Sequence, residues 1–283
     1  ESIAMHPQVQ KLDGKYLDEA NNYLDMAFKE HIATLLDTQS CSEVDSLIRQ
    51  YDLNLDPLAY DNKKLYQCYY KVVRYKDAQE IIEKHIDDED LTQRAYWMCA
   101  LAKIKIAQRE FAIAKDIYRD IFALKQQESC EDIYYNLFTT QKRTNDLEGM
   151  IQSLQEIEKE EDGVQLLQLY KDIIEKAEDK DIKKLYVQKL LQKQKELNVD
   201  LYSPWIELQA ATYLPSSQAL INDLNSSLSA AKQEQKARIY FEMGNSWSDI
   251  NKSSNAVKAY EKCKEIESMW KSLCEDAESL ITK

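Results

Sequence analysis

Three consecutive stretches of this chain repeat one layout at intervals of about 36 residues, a recurrence that restricts the possible folds more than any other feature. The first begins near Ala59, with Leu65, Tyr66 and Tyr69 on one run and Tyr75, Ala78 and Ile82 on the next. The second begins near Arg94 or Ala95, with Trp97 and Leu101, followed by Phe111, Ala114 and Tyr118. The third begins near Glu131, with Tyr134, Leu137 and Phe138, followed by Leu147, Met150 and Leu154. Apolar residues spaced three and four apart give each run one sticky helical face. Two such helices per period cannot bury that face alone, so pairs must stack on their neighbours.

Composition supports helices joined by short polar turns. The 283 residues include only 4 glycines and 4 prolines. Sheet-rich folds consume those residues in turns, and phosphate-cradling loops need glycine where backbone meets phosphate. The net charge of −13 disfavours nucleic acid and anionic membrane surfaces as direct partners. No apolar run is long enough to insert in a bilayer. The opening residues Glu1 to His6 lack a basic stretch followed by an apolar one, so they do not read as a signal peptide. Cys41, Cys68, Cys99, Cys130, Cys263 and Cys274 form no C-x-x-C motif. At these spacings in a chain this long, the expectation is reduced thiols serving as small core residues of a cytoplasmic protein.

Chemistry-bearing constellations are sparse. His6, His31 and His85 are scattered, with no second ligand at metal spacing, so no metal, cofactor or catalytic residue is assigned and the chain is not read as an enzyme. The run Asp87 to Asp90 reads as a cap for the following helix. Gly163 reads as the terminator of the helix that precedes it. Pro204 and the Pro215 to Ser217 segment read as helix starts. Lysines 180, 183, 184, 189, 193 and 195 are interleaved with acids and glutamines, which weakens a nucleic-acid reading.

The clearest copy of the period lies near the C-terminal end. Tyr240, Met243-Gly244, Trp247, Ala256, Tyr260 and Cys263 fall at the aromatic, Leu-Gly, aromatic, alanine, aromatic and small positions of the tetratricopeptide repeat, which this segment resembles. The copies starting near 59, 95 and 131 have Tyr66, Ala102 and Phe138 where the family has glycine, and the second fits best with its first helix shifted by one residue. The resemblance implies an all-α, right-handed α-solenoid of antiparallel helix pairs: one superhelical domain over 1–283. Its parts are N-terminal helices over 7–58, three degenerate repeats over 59–164, divergent pairs over 165–236, the best-matching repeat over 237–270 and a capping helix over 271–283.

The family lines its concave surface with fixed positions of each first helix. Carried over, these give Tyr60, Lys63, Gln67, Tyr70 and Lys71 from the first copy, and Met98, Ala102 and Lys105 from the second. The third supplies Asp132, Tyr135, Thr139, Lys142 and Arg143, and the last Arg238, Phe241, Asn245 and Asp249. Such a surface would be basic and aromatic within an acidic chain, suited to a protein or peptide segment of acidic character. The expected role is a scaffold or adaptor subunit of a multiprotein complex; the alternative is a helical-repeat regulator that senses a peptide or small ligand. The family's lysine–asparagine clamp for a terminal carboxylate is incomplete, because Gln67 follows Lys63 and Phe241 precedes Asn245 where the clamp needs asparagine and lysine.

Overall fold

The computed structural model describes residues 17–51 and 61–282, with side chains from Tyr23 onward. Every regular element among them is helical. The chain divides into two compact units, 1–144 and 145–283. The first holds α1 (Leu17–Asp37), α2 (Cys41–Tyr51), α3 (Asn62–Lys71), α4 (Tyr75–Glu83), α5 (Leu91–Ala107), α6 (Phe111–Ala123) and α7 (Ile133–Arg143). The second holds α8 (Leu147–Glu160), α9 (Gln165–Lys176), α10 (Lys180–Leu197), α11 (Trp205–Tyr213), α12 (Gln218–Ser227), α13 (Gln233–Asp249), α14 (Ser253–Lys264) and α15 (Lys271–Thr282). No helix among the described residues is long and apolar enough to cross a membrane.

The hairpins α1–α2, α3–α4, α5–α6 and α13–α14 each turn in three residues whose middle one is left-handed: Gln39, Val73, Arg109 and Asn251, with φ of 55°, 65°, 64° and 59°. Two hydrogen bonds close each turn. At Val73 its own N–H donates to the Tyr70 carbonyl at 3.1 Å, and the Arg74 N–H reaches back to the Tyr69 carbonyl at 2.8 Å. Arg109 with Glu110, and Asn251 with Lys252, repeat the pattern. This is the Schellman closure, which satisfies carbonyls orphaned at a helix end. Glycine usually fills that position. Here no described glycine has positive φ, so the chain accepts local strain in place of glycine.

Helix starts follow the sequence closely. Asp90 accepts from the Thr92 and Gln93 amides at 2.8 and 3.3 Å, so the acidic run caps α5. Asp61, Asp179 and Ser217 cap α3, α10 and α12 in the same way. Pro204 sits immediately before α11. Gly163 is not the terminator of α8: that helix ends at Glu160 with Glu161 extended (φ −121°, ψ 136°), because chain geometry there needs no left-handed residue. The punctuation at Asp56-Pro57 lies outside the described residues.

Packing in the first unit centres on α5. Trp97, Ala100 and Ile104 face the core built by α1 to α4, while Ala95, Met98, Cys99 and Ala102 face the core shared with α6 and α7. A helix apolar on two sides is one buried between neighbours. Ala78, Ala114 and Ala256 are fully buried, as expected of small residues where paired helices approach. In the second unit, α13, α14 and α15 enclose Ala237, Ala256, Tyr260, Cys263 and Cys274, with Phe241, Trp247 and Trp270 against them.

The cysteines depart from the sequence expectation. All six pair, Cys41 with Cys68, Cys99 with Cys130 and Cys263 with Cys274, at Cα separations of 4.8, 5.5 and 6.3 Å. Partners lie 27, 31 and 11 residues apart in sequence, and helix packing brings them within bonding reach.

Candidate functional site

The first helices of two successive pairs, α3 and α5, enclose a hollow of about 250 Å³. On α3, Leu65, Cys68 and Tyr69 turn into the core, which leaves Lys63, Gln67 and Lys71, four residues apart, on the opposite side, with Tyr70 half-buried at the edge between them. Tyr66 lies between the two faces: its ring is buried against Trp97 at 6.0 Å between centroids, yet it also lines the hollow. From α5 come Tyr96, Cys99 and Lys103, one turn apart. The Cys99–Cys130 disulfide fixes the segment carrying Ser129 and Glu131 against α5, and these complete the wall.

Charge and aromatic surface are interleaved here. The Lys63 ammonium sits 4.5 Å from the centre of the Tyr96 ring, a cation–π contact. Lys71 donates to the Gln39 side-chain carbonyl at 3.0 Å. Burial pushes the phenols of Tyr66, Tyr70 and Tyr96 above their ordinary range, and neighbouring phenols push Tyr66 and Tyr70 the same way. For Tyr96 a hydrogen bond with Gln67 opposes the shift and Asp61 adds to it. All three hydroxyls are therefore neutral donors at neutral pH. Behind them, the hydroxyl of fully buried Tyr118 has no hydrogen-bond partner. The site can offer a visiting chain aromatic faces, phenolic hydrogen bonds and three ammonium groups, with Glu131 the acidic group in its lining.

The sequence-derived candidates are distributed unevenly around this hollow. Tyr70 and Lys71 line it, Lys63 adjoins it through Tyr96, and Tyr60 lies outside the described residues. Met98 and Ala102 are buried, and the Lys105 ammonium is engaged by Glu110 at 2.9 Å, in the turn that closes its own hairpin. What α5 presents instead is Tyr96, Cys99 and Lys103. This is the same set of repeat positions counted from Ala95 and not from Arg94, so the one-residue shift noted in the second copy was the signal that locates it. Tyr135, Lys142 and Arg143 lie on α7, with the Arg143 guanidinium 5.9 Å from the Phe111 ring.

In the second unit, Arg238, Phe241 and Asn245 are engaged with the C-terminal helices. Arg238 reaches Glu242 at 3.8 Å and covers the Trp270 ring at 5.5 Å. Phe241 packs against Tyr260 and Trp270, with centroids at 6.2 and 5.4 Å. Asn245 accepts the Tyr260 hydroxyl at 2.8 Å. Burial, opposed by Arg238 and Asn245, raises the Glu242 carboxyl above its ordinary range. Arg238 and Phe241 thus pack against Trp270, just before α15, and Asn245 ties α13 to α14, all within the unit. No protein-family model matches the chain, and no curated protein matches its sequence.

Proposed function

We propose that the chain is an interaction scaffold, a non-enzymatic adaptor subunit whose helix pairs stack as a tetratricopeptide-like right-handed superhelix and hold an acidic partner segment. The observation that carries this reading is the hollow between α3 and α5, where Tyr66, Tyr70 and Tyr96 stand among Lys63, Lys71 and Lys103. Aromatic side chains supply contact area at low entropic cost, and the lysines steer an acidic chain toward them in a protein that is acidic elsewhere. A side chain of the partner entering the hollow would meet apolar ring faces, while its flanking carboxylates would meet ammonium groups at the rim.

The test is selection of peptides from a display library on the immobilised chain, followed by affinities for the parent and two variants. Lys71→Glu with Lys103→Glu should abolish binding of the enriched acidic peptides. Lys105→Glu, which alters an ammonium already committed to Glu110, should leave it nearly unchanged. Enriched peptides that bind the double variant as tightly as the parent would overturn the reading.

A further inference from the structure

A second hollow, of about 320 Å³, opens in the other unit among the end of α10, the segment leading to α11, and α12. Glu207, in the first turn of α11, lines it and is only 8% exposed. One side of its carboxyl is held by its own N–H and by the Ser203 hydroxyl. The other oxygen, Oε2, is buried with no hydrogen-bond partner. Asp200 and Asp223 line the same hollow and act electrostatically on Glu207, and Lys195 is the cation among the lining residues. Burial first, then those two carboxylates, pushes the Glu207 carboxyl above its ordinary range.

A buried acceptor left unpaired is costly, and more so when charged. Chains retain such a group where something else completes it. An anion is ruled out by three carboxylates against one ammonium. A metal ion does not fit either, because among the described residues no three side-chain ligands converge closely enough to hold one. Leu191 and Val199 add apolar wall beside the acids, which suits a methylene chain.

We infer that this hollow binds a primary alkylammonium group, its charge on Glu207 and Asp223 and its methylenes along Leu191 and Val199. The ammonium can belong to a free diamine or to a lysine side chain of another protein; both present the same head on the same tether. The inference is independent of the α3–α5 site.

Titration calorimetry on the full chain distinguishes the sources, with cadaverine as the free diamine and a short peptide centred on lysine as the other. Saturable binding of cadaverine, weakened at least about tenfold by Glu207→Gln and by Asp223→Asn, supports a diamine site. Binding of the peptide alone, with the same losses and none for its Nε-acetylated form, supports a lysine site. Two variants are used so that a folding defect in one does not decide the matter, and circular dichroism confirms that each is helical. The inference is overturned if neither probe saturates at millimolar concentration, or if both variants bind as the parent does.

Discussion

Gly244 offers a test in which two physical effects have opposite signs. It lies in the interior of α13, where replacing glycine by alanine normally stabilises by about 1 kcal/mol. A Cβ at this position would stand 2.3, 2.6 and 2.7 Å from Cε1, Cδ1 and Cζ of Tyr260. Carbon atoms rest about 3.5–4.0 Å apart, so all three contacts overlap by roughly 1 Å. The ring has little room to withdraw: Tyr260 is 2% exposed, its hydroxyl is bonded to Asn245, and Phe241 packs beside it. Overpacking of this kind costs about 1–3 kcal/mol and occasionally more. Here the overlap falls on a ring held by its neighbours, which places the cost at the upper end. Subtracting the propensity gain leaves Gly244→Ala about 2 kcal/mol less stable than the parent. Urea unfolding followed by tryptophan fluorescence reads this directly, since Trp247 and Trp270 flank the site. In a Tyr260→Leu background the same substitution should become neutral or stabilising, which isolates the ring as the cause. A raised midpoint for Gly244→Ala in the parent background would refute the packing argument.

Three further outcomes follow from other parts of the chain. Replacing Cys99 and Cys130 together with alanine should lower stability by about 3.5 kcal/mol, the loop-closure entropy of their spacing; native protein that takes up iodoacetamide before reduction would contradict the pairing. Val73 is 66% exposed and left-handed at φ 65°, so Val73→Gly should raise stability by about 1 kcal/mol in the same urea assay, and no gain would mean the strain is absent. For Glu207 the raised pKa sets the sign. As pH rises through the ordinary carboxylate value, the unfolded chain releases its proton first and stability is lost until the folded value is passed. Asp200 and Asp223 reinforce that loss, while Lys195 lines the same hollow with the opposite charge. Glu207→Gln should therefore be more stable than the parent at neutral pH, with the difference closing in acid; equal melting temperatures across pH would remove the buried charge from the account.

The helices, their caps and the small residues between paired helices were written in the sequence, because each depends on a few neighbours along the chain. Asp90 caps α5 through amides two and three residues away, and Ala78 and Ala114 each fall on the apolar stripe of their own helix. By itself the sequence thus determined an all-helical chain of short-turn pairs, with Lys71 on the face away from the α3 core and Tyr70 at its edge. Only the tertiary structure decided the rest. α5 carries apolar residues on two sides, so periodicity could not choose which stripe meets the hollow; packing against α3 on one side and α6 on the other selects Tyr96, Cys99 and Lys103. Cysteines 27 and 31 residues apart become partners only when stacked helices bring their Cα atoms to 4.8 and 5.5 Å. Glu207 looks like any surface acid until α10, α11 and α12 close around it. Local contacts encode helices, whereas the choice between faces and the burial of one carboxylate are properties of which distant segments meet.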